Sequence, residues 1–208
     1  MARYIKKSWR KVQKGVRAMP TRRFFLCGIA ALALSRLALA GAASAQQAPD
    51  REALFRRLRE AQTEREGRMA EDAIWRMWME EAPTAAIREA VAEAMRRREA
   101  YDFAAAQTIL DRVVEDAPDY AEGWNQRAFI RFLRDDLDGS LDDIERALAL
   151  EPLHFAALAG KATILMRLGR IEPGQAALRR AVDIHPWLKE RSMLIPVPSP
   201  GRAPGRDI

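Results

Sequence analysis

A single cysteine, Cys27, and two histidines, His154 and His185, are all that 208 residues offer for thiol or soft-metal chemistry. Structural zinc needs four such ligands at close spacing, so that class of site is excluded. Glycine-rich runs of the kind that cradle phosphate ahead of a helix are also missing. Beyond residue 45 the serines are only Ser140, Ser192 and Ser199, and none has the neighbours that activate a nucleophile. These gaps remove the common routes to catalysis, so no catalytic residue, metal or cofactor is expected.

Acidic residues are missing from one region alone. Residues 1–45 hold ten basic side chains and no Asp or Glu, although the whole chain carries a formal charge of +6. Residues 46–208 are left with 25 basic against 29 acidic side chains, a net charge of −4. A nucleic-acid partner needs basic charge on the folded body. The body is mildly acidic, so no such partner is expected.

The basic end has the order of an export signal: charge, then the apolar run Phe24–Leu34, then the small-residue stretch GAASA at 41–45. Cleavage is expected before Gln46. The stretch TRRFFL, with Arg22 and Arg23, resembles the twin-arginine export motif, Cys27 standing where that motif ends in Lys. Arg36 interrupts the apolar region, which disfavours a membrane-spanning anchor at 24–43, the alternative reading. Met19 offers a second possible start. A periplasmic location follows as the expectation, with membrane contact only through an uncleaved signal. Cleavage would leave the mature chain without any thiol, so its stability would rest on packing.

What is abundant is helical pattern, and it repeats. Pro118, Pro152 and Pro186 stand 34 residues apart. In phase with them run Ala94, Ala128 and Ala162; Phe103, Leu137 and Ile171; Leu110, Ile144 and Leu178; and Val114, Leu148 and Val182. Each interval reads as two antiparallel helices, a small residue marking their close crossing and proline ending the second.

A 34-residue period with those columns resembles the tetratricopeptide repeat. Trp124 and Gly169 fall on that family's aromatic and turn positions, while Glu93, Arg127 and Lys161 replace its Leu and Gly174 its Ala. The pattern YAEGWNQRAFIRFL with SLDDIERALALEPLHFAALAG also resembles a group of exported bacterial proteins built from this repeat. The resemblance implies an all-α, right-handed superhelical solenoid of antiparallel helix pairs. Three repeats are expected over 85–186, after the export signal at 1–45. Residues 46–84 read as a degenerate helix pair capping the stack, its Trp75, Met77, Trp78 and Met79 in core contact. Residues 187–208 read as a short capping helix followed by a disordered Pro/Gly tail.

In that family the first helix of each pair lines a concave groove that grips an extended peptide or a partner helix. Carried over by position, the groove holds Arg88, Val91, Met95 and Arg98, then Glu122, Asn125, Phe129 and Phe132, then Ala156, Ala159, Thr163 and Met166. Packing within the stack is the alternative role for Asn125 and Phe129. The expected function is a non-enzymatic protein-interaction scaffold of the cell envelope. The competing class is an accessory subunit or chaperone of an exported enzyme complex.

Overall fold

Amphipathic stripes at helical spacing, most of them opened by a capping side chain, set the described elements of this chain. The computed structural model describes residues 50–196; the export signal expected at 1–45 and tail residues 197–208 lie outside them. Among the described residues there are eight α-helices and no strand: α1 (Arg51–Glu60), α2 (Glu64–Glu80), α3 (Ala85–Glu99), α4 (Phe103–Asp116), α5 (Ala121–Leu133), α6 (Leu137–Leu150), α7 (Phe155–Arg167) and α8 (Ile171–Ile184). A 3-10 turn, Lys189–Met193, follows. None of these helices is long and apolar enough to cross a membrane.

Asp102 accepts from Ala105 N at 3.2 Å and Asp136 from Gly139 N at 3.0 Å, capping α4 and α6. Left-handed backbone appears at Tyr101 (φ 62°), Asp135 (φ 68°) and Gly169 (φ 76°), one period apart. Each ends the first helix of a pair. Asp102, Asp136 and Arg170 then close matching turns, donating to the carbonyls of Arg97, Arg131 and Leu165. Ala117, Glu151 and His185, each before its proline, leave helical geometry at ψ 65°, 88° and 85°. The proline restricts its predecessor in just this way.

Helices α3–α4, α5–α6 and α7–α8 form pairs, joined in sequence by α4 on α5 and α6 on α7. The small-residue column marks the crossings: Ala94, Ala128 and Ala162 are at most 2% exposed. Arg127, in a position where the family prefers Leu, bridges Asp143 at 2.8 Å and Asp111 at 3.2 Å. Burial alone would lower its basicity, but those carboxylates hold its pKa above the ordinary guanidinium value. Gly174 has a steric reason, since a Cβ there would lie 2.7 Å from Met166 Cγ and 3.1 Å from the Ala162 carbonyl.

The N-terminal pair departs from the expected cap. Instead of extending the stack beside α3, α1 and α2 share one apolar core with α7 and α8, containing Leu54, Phe55, Leu58, Ile74, Trp78, Phe155, Leu158 and Leu178. Along α2, Gly67 meets Trp187, Glu71 meets His185, and Trp75 and Trp78 meet His154 and Phe155. Met79 then reaches Tyr120. Gly67 is required by this approach, because a Cβ would stand 2.7–2.9 Å from the Trp187 side chain. The Trp/Met cluster is thus core: Trp78 is 1% and Met77 8% exposed. After Pro186 the described residues form the 3-10 turn, held to α8 where Gln175 bonds Met193 O at 2.9 Å and Ile195 N at 2.8 Å.

Candidate interaction surface

The first helices of the three pairs, α3, α5 and α7, carry every residue expected in the groove. Their amino-terminal and carboxyl-terminal halves have different surroundings. Ala159 is buried in the apolar core that includes α1 and α2, and Ala156 and Met166 pack against it. Val91 is fully buried in the core between α3 and α4, with Met95 packed against its edge, while Arg88 is exposed. Thr163 spends its hydroxyl on the Ala159 carbonyl at 2.9 Å, one turn back on its own helix.

Asn125 is 9% exposed and donates to Glu122 Oε2 at 3.1 Å. Spacings of three and four on α5 aim Asn125 and Gln126 at one carboxylate, Gln126 Nε2 donating to Glu122 Oε1 at 2.5 Å. His154 completes the set. Its Nδ1 accepts the capping bond from Ala157 N at 3.3 Å, so Nε2 carries the proton and donates to Glu122 Oε2 at 3.0 Å. Arg98 Nη1 donates to Gln126 Oε1 at 2.8 Å and ties α3 to this network. Glu122 and His154 are at most 1% exposed, so the pair is sealed from solvent. Asn125 is therefore a buried hydrogen-bonding residue, in keeping with the packing role that the sequence left open beside a place in the groove. Asn125→Ala is expected to lower stability by about 1–3 kcal/mol, because it strips a donor from a buried carboxylate. A thermal melt of the purified variant checks this, and an unchanged midpoint would contradict it.

The carboxyl-terminal halves are different. Phe129 is 41% and Leu133 37% exposed on α5. The Arg98 guanidinium lies 5.0 Å from the Phe129 ring centre, and that of Arg167 5.8 Å from Phe132. Phe129 and Phe132 are thereby each covered by an arginine from a neighbouring first helix, while Trp124 is covered by Arg127 of α5 itself. Burial lowers the pKa of Arg98, with Glu99 and Glu122 opposing that shift. No carboxylate among the described residues is within ion-pair distance of Arg98, whereas Arg167 pairs with Asp135. Of the expected groove residues, the fold sets exposed Phe129 beside partly buried Arg98, with partly buried Phe132 a turn further along α5.

The second histidine lies at the same interface as the first. His185 Nε2 is 3.3 Å from Glu71 Oε2, and its ring meets Phe155 edge-on at 5.0 Å. Burial would raise the Glu71 pKa, but the hydrogen bond and charge of His185 bring it below the ordinary carboxylate value. The two histidines thus face different carboxylates. Among the described residues no group of three or more His, Cys, Asp or Glu side chains is placed to hold a metal ion. A surface cleft of about 440 Å³ lies between Arg51, Glu81, Asp119, Tyr120 and Glu151. Arg51 already bridges Glu81 and Glu151 there.

No family model matches the chain. Over 82 residues it is 43% identical to a TPR repeat-containing protein of Rhizobium etli, a stretch covering 39% of this chain and 40% of that relative. The match therefore spans less than half the relative's length. Among solved structures, a MamA mutant is similar with 14% identity and a TM-score of 0.44, covering 64% of this chain and 93% of that one.

Proposed function

We propose that this chain is a non-enzymatic protein-interaction scaffold of the bacterial cell envelope. It grips a peptide segment or partner helix across the carboxyl-terminal halves of α3, α5 and α7. The observation that carries the reading is the strip of Phe129 and Phe132, each stacked under an arginine from an adjacent helix. Aromatic and arginine side chains concentrate binding energy at protein interfaces. An accessible Phe held in place by a guanidinium loses little freedom on binding. On α7, Ala156 and Ala159 are taken up by the core shared with α1 and α2, which leaves the carboxyl-terminal half of that helix for a partner. The 43% identity to a TPR repeat-containing protein supports the same reading over the stretch it covers.

A photo-crosslinking phenylalanine analogue in place of Phe129 tests the surface in intact cells. One discrete heavier adduct is expected, with none from the same probe at Glu145 on α6. Equal labelling at both positions would overturn the assignment.

Periplasmic location rests on the sequence of the signal region alone. Replacing both Arg22 and Arg23 by Lys keeps the charge and removes the twin-arginine pattern. That variant is expected to stay uncleaved in the cytoplasm, as read by fractionation and blotting. Normal processing would favour the general secretion route.

A further inference from the structure

A stack of helix pairs has two end faces, and each exposes the apolar side that an internal pair buries against its neighbour. Here one end is closed within the chain. The α7–α8 pair lies under α1, α2 and the Lys189–Met193 turn. The α3–α4 end is different. Gln107 and Asp111 of α4 meet Arg134 and Arg127 on the α5 side, and both Val113 and Val114 reach Gly123 of α5. Ile109, Arg112 and Asp116 fall on the other side of the same helix. With Ala86, Ile87 and Ala90 of α3 and the base formed by Val113, they line an apolar cleft of about 270 Å³.

We propose that this cleft is a self-association surface, through which two copies of the chain pair about a two-fold axis. Geometry selects a second copy in this orientation. Head-to-tail stacking would need a free α7–α8 end, and that face is already covered. Among the described residues only the α3–α4 end is open, so a contact between copies pairs like with like and closes on itself. The rim has matching charges. Arg112 and Asp116 are exposed, opposite in sign and one turn apart, and neither has an ion-pair partner among the described residues. An antiparallel α4 from a second copy sets each Arg112 against the other copy's Asp116, giving two identical pairs around an apolar centre of Ile87, Ala90 and Ile109.

Sedimentation equilibrium of the full chain over a range of concentrations is the test. The wild type is expected to move from 23.5 kDa toward twice that mass as concentration rises. Ile109→Glu should raise the dissociation constant at least tenfold. Arg112→Asp and Asp116→Arg should each do the same, and the double exchange should restore dimers, since it rebuilds both pairs with reversed sign. Both charged positions are exposed, so these variants read the interface even if Ile109→Glu perturbs folding. A monomeric wild type at the highest concentration would overturn the proposal, whatever then covers the face. A dimer indifferent to the charge exchanges would also overturn it, placing the contact elsewhere. Crosslinking through Phe129 is independent of either result.

Discussion

Ala128→Arg should leave the protein largely unfolded at temperatures the wild type tolerates. Ala128 is 2% exposed at the crossing of α5 and α6, and its carbonyl accepts the Ser140 hydroxyl at 2.7 Å. A guanidinium there has neither space nor a free carboxylate: nearby Asp143 already binds Arg127 and Arg131 at 2.8 and 3.1 Å. Burying an unpaired charge costs several kcal/mol, against a total stability of about 5–15 kcal/mol for an ordinary domain. A fall of ~10 °C or more in melting midpoint is expected, at roughly 2–4 °C per kcal/mol for a chain of this size. Ala128→Ser, which adds one small atom, should melt much closer to wild type. An Arg variant melting with the wild type would show that the crossing lies elsewhere.

Trp78→Ala should be nearly as damaging, and for a different reason. The indole stacks on the His154 ring at 4.0 Å and 16°, lies 5.0 Å from Phe155 and meets Trp75 edge-on at 5.3 Å. Truncation opens a cavity at the joint between α2 and α7, with an expected cost of about 3–5 kcal/mol. Trp78 Nε1 is buried without an acceptor among the described residues. Trp78→Phe should therefore recover much of the loss, keeping an aromatic face while removing the unsatisfied donor. Hydrogen exchange of the Ala variant should rise first in α1 and α2. Unchanged exchange in those helices would mean that Trp78 does not hold them.

Helix pairs and their stops were readable in the residues because they depend on local chemistry. Proline restricts its predecessor wherever it stands, and only a small side chain fits a close crossing. Placement of α1 and α2 was not readable, because an amphipathic helix announces an apolar face without naming its partner. The clue was a distant pair, Gly67 and Trp187, complementary only after folding. Asn125 was left open between groove and packing for another reason. Position within a repeat marks it as groove-facing, but Glu122, Gln126 and His154 surround it with hydrogen-bonding partners. Glu122 three residues before Asn125 and four before Gln126 was a signal for a shared carboxylate. Phe129, one turn further along and placed by the same positional rule, is exposed, while Phe132 packs partly against the core.

The bond from Trp187 Nε1 to the Ala61 carbonyl, 2.9 Å long, joins residues 126 positions apart. An open repeat array can lose its units one by one from an end, because each touches only its neighbours. Joining the first helices to the last makes fraying at either terminus break the same core. Unfolding then acquires the all-or-none character of a closed domain. It also sets an order during synthesis. The apolar face of α2 emerges from the ribosome well before α7 and α8, so Trp75 and Trp78 must wait for the end of the chain. Long-range closure of that kind slows folding and prolongs exposure of sticky surface, so this hairpin is where a nascent chain would most need a chaperone's cover.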